Sequence, residues 1–452
     1  MDAEALDRLS FEPLTPLRFL DRSALVFARR TAAVDGDRRL TYAELRERVA
    51  RQAGALRDLG VRAGDRVAVL APNRLLSLEA HFAVPAAGAV LVALNFRLSA
   101  PELAAVVEHA GAGLLLVDPE LEETAAAVAR AAPALRVVAA PELERLAAEA
   151  RPLAVPVEDE RGLISLNYTS GTTGRPKGVM YHHRGAALQA LAMAFHARLS
   201  SSSVFLWTLP MFHCNGWCFP WAVTAAGGTH VCLPRVDPPE VWRLIREQGV
   251  THFNGAPTVL TMVTNDAAAA PVDPRIHVCT GGAPPSPTLI ARCDRLGIDV
   301  THLYGSTETF GPAVICEPQP EWAALDADAR AKRLARQGVA NVIAVAPRVV
   351  DGTGADVPAD GETLGEVAIR GDDVMLGYYR DPEGTAEAAP DGWFRTGDVA
   401  VMHADGYLEI RDRSKDVIVS GGENIASVEV EQALVSHPAV LEAAVVAAPD
   451  EK

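Results

Sequence analysis

The stretch Tyr168 to Gly178, YTSGTTGRPKG, decides how this chain is read. Thr169, Ser170, Thr172 and Thr173 supply hydroxyls, and Gly171 and Gly174 let the backbone approach a ligand closely. Backbone N–H groups, hydroxyls and the Lys177 ammonium in one loop are the donors that phosphate oxygens require. Leu163 to Tyr168, LISLNY, reads as a short buried strand and Ala186 to Phe195 as a helix, which predicts a phosphate loop between strand and helix. No Gly-Lys-Ser/Thr follows at Walker A spacing, so a P-loop NTPase core is disfavoured.

Outward from the loop, helices and strands alternate. Thr41 and Glu44 are spaced as a capping box, Leu45, Val49, Ala53 and Leu56 repeat on one helical face, and Gly60 ends the helix before a strand at Arg66 to Leu70. The pattern recurs from Pro239 to Asn254, where Gly249 separates VWRLIREQ from VTHFN, and around Ile276 to Cys279 and Val300 to Leu303. This predicts an α/β architecture. The Ala-rich stretch Thr124 to Pro133 reads as an exposed helix. From Val349, short strands broken by Gly361, Gly365, Gly371, Gly377, Gly392 and Gly406 predict an antiparallel, barrel-like β subdomain over about 349–411. Residues 412–416, DRSKD, read as a charged link. Beyond it come Ile418 to Gly422, a Ser427-capped helix and an apolar strand near Val440 to Ala447, too small a core to stand alone. The expected fold class is therefore α/β: a large N-terminal domain, 1–411, of two α/β subdomains plus the β-rich one, a hinge at 412–416, and an incomplete α+β lid, 417–452.

A formal charge of −16 and a pI near 5.2 argue against nucleic acid as a partner, since phosphate backbones call for a basic face. No apolar run is long enough to span a bilayer and residues 1–30 lack a signal-type apolar core, which predicts no membrane and a cytoplasmic address. Cys214, Cys218, Cys232, Cys279, Cys293 and Cys316 form no CxxC pair and read as reduced, buried thiols, with neither disulfide nor zinc expected. His182 and His183 are adjacent, and adjacency does not make two histidines converge on one ion.

Four further motifs follow probable strands, where open α/β sheets collect ligands. TGGAPP, Thr280 to Pro285, offers Gly281 and Gly282 for close backbone approach. LYGSTET, Leu303 to Thr309, offers the Tyr304 ring, the Thr307 hydroxyl and Glu308 as an oxygen ligand for Mg²⁺. GWFRTGD, Gly392 to Asp398, ends in a carboxylate able to accept two hydrogen bonds from ribose, and Arg413 lies in the charged link. Each alone has an ordinary reading as a turn, an exposed acid or a surface cation. Their joint occurrence with TSGTTGRPK, in this order, reverses that preference.

On these motifs, with LTYAEL at Leu40 and SGGENI at Ser420, the chain resembles the adenylate-forming superfamily, in particular its acyl-CoA synthetase branch. The resemblance implies a two-step reaction that uses ATP, Mg²⁺ and coenzyme A: a carboxylate attacks the α-phosphate to give acyl-AMP, then a thiol displaces AMP. It assigns catalytic roles to Thr169, Lys177, His213 and Glu308, the last as metal ligand. Nucleotide contacts would come from Thr169, Ser170, Gly171, Thr172, Thr173, Gly174, Lys177, Gly281, Gly282, Ala283, Tyr304, Gly305, Ser306, Thr307, Asp398 and Arg413. His213, Trp217, Gly282 and Gly305 would meet the acid, Lys415 would be the lid hinge, and Gly421 would border the coenzyme A tunnel. The superfamily's adenylation lysine lies in a C-terminal segment that has no counterpart before Lys452, from which a truncated chain with a weakened first half-reaction is expected.

PMFHCNGWCFP, Pro210 to Pro220, bears on the acid. Amino-acid-activating relatives carry an Asp where His213 stands, so a substrate ammonium would lack its counter-charge here. FHCNGW and the charged helical segment Glu321 to Arg336 look most like the branch acting on short- to medium-chain fatty acids and methylmercaptopropionate. His213 as a core histidine and Trp217 as core packing are the competing structural readings. Two alternatives in function stay open: an acyl-AMP ligase that loads a carrier protein, and a nucleotide- or acyl-adenylate-binding protein without turnover. A homodimer is the candidate assembly.

Overall fold

The computed structural model describes residues 9–169, 176–414, 418–420, 423–425, 427–435, 437, 440, 443–446 and 448. The chain forms two compact units, one of residues 1–235 with 375–381, the other of residues 236–374 with 382–452. Among the described residues no helix is long and apolar enough to cross a membrane.

The first unit has two sheets. Its smaller one joins β1 (Thr31–Asp35) and β2 (Arg38–Thr41) to two short strands described below. Its larger one contains β3 (Arg66–Leu70), β4 (Val90–Ala93), β5 (Ala112–Val117), β6 (Arg136–Ala139), β7 (Leu163–Thr169) and β8 (Lys177–His182), in the order β6-β5-β3-β4-β7-β8. The first five pair in parallel and β8 runs antiparallel to β7. Alternation along the strands sends Val67, Val69, Leu91, Leu114 and Leu116 into one core with Ala53, Leu56 and Val84. Ala68, Leu70, Val90, Val92 and Leu115 go into another core with Leu103, Val106 and Val107. Both faces are thus covered by helices, which is why these strands read as nearly continuous apolar runs. Helix Tyr42–Asp58, on the first face, starts at the capping box that the sequence spells out: Thr41 accepts from the Glu44 N–H and Glu44 accepts from the Thr41 N–H at 2.7 Å. The smaller sheet is completed by β9 (Val204–Leu206) and β10 (Thr229–Val231), in the order β2-β1-β10-β9.

In the second unit, β11 (His252–Gly255), β12 (Ile276–Thr280) and β13 (Ile298–Ser306) pair in parallel, and β14 (Gly311–Ile315) and β15 (Val339–Ala340) continue antiparallel. The turn-rich region forms β16 (Arg348–Val350), β17 (Gly365–Ile369), β18 (Phe394–Met402) and β19 (Leu408–Arg413), an antiparallel sheet in that order. Among the described residues it is an open sheet, with no pairing between β16 and β19 that would close a barrel. Its apolar face, Val349, Val367, Ile369, Ala400 and Leu408, packs on Ala313 and Val314 of β14. The charged segment near Glu321 contributes helix Ala327–Leu334 and then Arg336, whose guanidinium lies against the adjoining rings of Trp322 and Tyr407, 5.4 and 4.3 Å from their centroids. Asp405 takes it in two hydrogen bonds of 3.1 and 2.9 Å, so a charge 5% exposed is both paired and stacked.

Asp412 and Arg413, expected in a link, are the last residues of β19. Asp412 accepts from the Ser427 N–H at 2.6 Å, at the first residue of helix Ser427–Val435. Ile418–Ser420 pairs antiparallel with Glu423–Ile425, a second strand that the sequence reading does not anticipate, and the described residues within 440–447 carry no strand.

Candidate functional site

The loop expected to cradle phosphate lies between two strands, not between a strand and a helix. Thr169 lies opposite Lys177 across the β7–β8 ladder, and the helix begins six residues later, at His183. Local periodicity misses β8 because part of what stabilises it is distant in sequence. Residues 375–381 run along it, with Met180 N–H donating to Gly377 O at 3.1 Å and Tyr379 N–H to Gly178 O at 2.7 Å. Val179 and Tyr181 alternate into the interior. Ser170, Gly171, Thr172, Thr173 and Gly174 lie outside the described residues, as do Lys415 and Gly421. Lys177 is half-buried, its Nζ 4.5 Å above the centre of the Tyr378 ring. The neighbouring histidines are structural. His182 Nδ1 accepts from the Gly185 N–H at 2.9 Å and so caps the helix. His183 bonds to the Thr15 hydroxyl, and burial lowers its pKa to about 4.

The stretch PMFHCNGWCFP forms an unusual element. Cys214, Asn215, Gly216, Trp217 and Cys218 have φ of 45, 43, 55, 54 and 62°, one left-handed helical turn. L residues there cost roughly 1–2 kcal/mol each, so the surroundings must hold the turn in place. Ser165 donates to Asn215 Oδ1 at 2.8 Å, and a Cβ on Gly216 would stand 2.9 Å from the Trp207 ring. Asn73 pins the approach, donating to Trp207 O and Leu209 O and accepting from the Met211 N–H, all within 2.9 Å. Nothing in the sequence singles out Asn73 beyond its place at the carboxyl end of β3. The turn leaves His213 exposed and Trp217 buried, 5% exposed, so the two side chains are presented differently. Interaction with Cys214, charge first and hydrogen bond after, raises the His213 pKa against desolvation and the Arg97 charge.

In the second unit, LYGSTET forms the end of β13 and the turn into β14. Thr309 holds that turn, its hydroxyl accepting from the Ser306 N–H at 2.9 Å and donating to Gly311 O at 2.6 Å. Tyr304 donates its hydroxyl to Asp398 Oδ2 at 2.7 Å. Arg413 is the register partner of Asp398 on β19, its Nε 3.4 Å from Oδ1. Tyr304, Asp398 and Arg413 therefore meet although they are distant in sequence. Burial raises the Asp398 pKa, the Tyr304 hydrogen bond and Arg413 oppose the rise, and Glu308 and Glu366 add to it. Glu308 is thus close enough for its charge to be felt at Asp398, and a cation beside Glu308 would relieve that repulsion. No trio of His, Cys, Asp or Glu converges among the described residues, so Mg²⁺ here would take most of its ligands from phosphate and water, its usual habit. Gly281 is buried, while Gly282 and Ala283 are exposed; Gly282 has φ +87° and open space where a side chain would be.

The fold is α/β, and the chain belongs to the AMP-binding enzyme family, which it matches over residues 20–379. It is 44% identical over 475 residues to the peroxisomal acetate/butyrate–CoA ligase AAE7 of Arabidopsis thaliana, covering 98% of this chain and 84% of that protein. It is likewise 44% identical over 468 residues to 2-methylpropanoate–CoA ligase CCL4 of Humulus lupulus, with the same shares covered. Among solved structures, O-succinylbenzoate coenzyme A synthetase of Bacillus subtilis in complex with ATP and magnesium superposes with a TM-score of 0.83 at 29% identity, over 96% of this chain and 87% of that one.

Proposed function

We propose that this protein is an AMP-forming acyl-CoA ligase for short-chain aliphatic carboxylic acids. The observation that carries the reading is Asp398, a carboxylate that accepts from the Tyr304 hydroxyl and faces Arg413, a group able to accept hydrogen bonds from a ribose diol. The acid class rests on the ligases for acetate, butyrate and 2-methylpropanoate that the chain is similar to. The cosubstrates are ATP and coenzyme A, with Mg²⁺ as the ion. In the first step a carboxylate oxygen bonds to the α-phosphorus and pyrophosphate departs with the electrons of the broken P–O bond. In the second, the coenzyme A sulfur, having lost its proton, bonds to the acyl carbon and AMP departs. Lys177 and Thr169 serve the phosphate oxygens, Tyr304 the adenine, Asp398 and Arg413 the ribose, and His213 meets the acid. Glu308 would hold Mg²⁺, which supplies charge neutralisation on the phosphates when bound. Positioning and electrostatics suffice for adenylation, and no covalent enzyme intermediate is required.

Incubation with ATP, Mg²⁺, coenzyme A and a panel from acetate to octanoate, with branched, methylthio and aromatic acids, tests this by mass spectrometry of acyl-AMP and acyl-CoA. Acyl-CoA confined to the short aliphatic acids is the expected result. Acyl-AMP without thioester would transfer the reading to a carrier-protein ligase, and neither product would leave a binding protein without turnover. Nothing in the relatives supports an impaired first half-reaction. Tyr304→Phe removes one hydrogen bond to Asp398 and is expected to raise the KM for ATP roughly fivefold, about 1 kcal/mol, in a pyrophosphate-release assay. An unchanged KM would detach Asp398 from the nucleotide. A cytoplasmic address and a homodimer complete the proposal; the Arabidopsis relative is named peroxisomal, so cell fractionation distinguishes the addresses, and light scattering reads the assembly.

A further inference from the structure

We infer that Tyr378 is a positioning residue for the phosphate loop: its ring docks the Lys177 ammonium before nucleotide arrives and releases it to the phosphate oxygens. The inference rests on the reading of Lys177 as a phosphate ligand. Its geometry is independent of that reading. Lys177 Nζ stands 4.5 Å above the Tyr378 ring centre, within cation–π range. Tyr378 is 7% exposed and forms an antiparallel bridge with Val179, so the ring is fixed relative to the strand that carries the lysine.

Both stems of the loop are gripped in the same region. On the exit stem, Tyr379 donates its N–H to Gly178 O at 2.7 Å, and a Cβ on Gly178 would lie 3.1 Å from the Tyr168 ring and 3.3 Å from Tyr379 Cβ. On the entry stem, the Tyr168 hydroxyl bonds to His109 Nδ1 at 2.8 Å, and Arg380 donates to His109 O at 3.1 Å. Gly178 is thus the point at which Tyr168 and Tyr379 close on the lysine's strand, and a side chain there would push the two apart. A lysine has four side-chain torsions to order when it meets a phosphate, and a ring that restricts them beforehand lessens what binding must freeze. A ring face offers the ammonium no lone-pair acceptor, so exchanging it for a phosphate oxygen breaks no hydrogen bond between the two side chains.

The sequence suits a direct test, because it contains four lysines, Lys177, Lys332, Lys415 and Lys452. Reductive methylation of the full chain with ¹³C-formaldehyde keeps the charge and gives one dimethylammonium resonance for each, plus the amino terminus. The Lys177 resonance, identified by its loss in Lys177→Arg, is expected to be shifted upfield by the ring current, to keep that shift in Tyr378→Phe and lose it in Tyr378→Leu. MgATP should abolish the shift in the wild type. An unshifted Lys177 resonance in the free protein would overturn the docking. In kinetics, Tyr378→Leu should raise the KM for ATP about fivefold with KM for the acid unchanged, Tyr378→Phe should restore it, and Tyr378→Leu should add less than about twofold in a Lys177→Ala background. Equal effects with and without Lys177 would make Tyr378 a packing residue and refute the inference. An unchanged KM for ATP in Lys177→Ala would instead refute the phosphate-ligand reading itself, whatever the resonance shows.

Discussion

Gly305→Ala is expected to abolish turnover and to lower the thermal midpoint more than any other single glycine replacement in the LYGSTET and TGGAPP motifs. A Cβ at this position would lie 1.9 Å from Gly311 O and 2.8 Å from Thr309 Oγ1. Neither neighbour can yield cheaply. Gly305 pairs with Pro312 and Ser306 with Gly311 across the hairpin, and Thr309 Oγ1 is committed to Ser306 N–H and Gly311 O. Relief therefore means opening the turn, which displaces Tyr304 and Glu308 together and strands buried polar groups, a loss of roughly 3 kcal/mol or more. Gly282→Ala is the control. Its Cβ would meet nothing within 4 Å, so the penalty there is the φ of +87° alone, about 1 kcal/mol. Thermal melts and ATP–pyrophosphate exchange on both variants check the contrast, and a Gly305→Ala enzyme as stable and active as Gly282→Ala would show that the hairpin does not set the site.

Asp373→Asn is expected to stabilise the protein, by an amount that grows with pH. Asp373 is 0% exposed, and neither carboxyl oxygen meets a hydrogen-bond partner among the described residues. Burial, with Asp372 adding, pushes its pKa up to about 7, against which its own backbone N–H offers weak compensation. The unfolded chain ionises this group near 3.8 while the folded chain keeps it protonated until about 7. Between those values the folded state holds the extra proton, so stability falls as pH rises, by about 4 kcal/mol in total. Asparagine carries no such penalty. The difference between the thermal midpoints of the two proteins should be near zero at pH 4, widen through pH 5 and 6, and level off above about 7. Measuring the difference cancels every other titrating group. A gap independent of pH would mean that Asp373 is not ionising inside the fold.

Much of the architecture is legible where local chemistry decides it. Thr41 with Glu44 fixes a helix start, and Arg66–Leu70 emerges as the strand that its flanking Gly60 and apolar run announce. Legibility fails where a distant segment completes an element. KGVMYH opens on a glycine and a half-buried lysine, and it becomes a strand with residues 375–381 along it as well as β7. The site behaves likewise. LYGSTET and GWFRTGD are each visible as motifs, but the hydrogen bond from Tyr304 to Asp398, and the placing of Arg413 opposite Asp398 at the end of β19 and not in a link, come from sheet register. Asp373 was concealed by its neighbours, since Gly-Asp-Asp reads as a solvated turn, and Asn73 by having no periodic partner.

On the proposal that His213 and its neighbours meet the acid, the left-handed turn from Cys214 to Cys218 bears on how such an enzyme could acquire a new one. Five successive residues there occupy a conformation that side chains resist, and Ser165 at Asn215 and the Trp207 ring at Gly216 hold it. Most replacements would disturb the folded chain before they altered selectivity, so random diversification of this stretch will return chiefly inactive protein. Laboratory evolution toward bulkier or more polar acids should leave the turn intact and seed its variation in the walls around it, where a changed side chain can alter preference without disturbing the backbone.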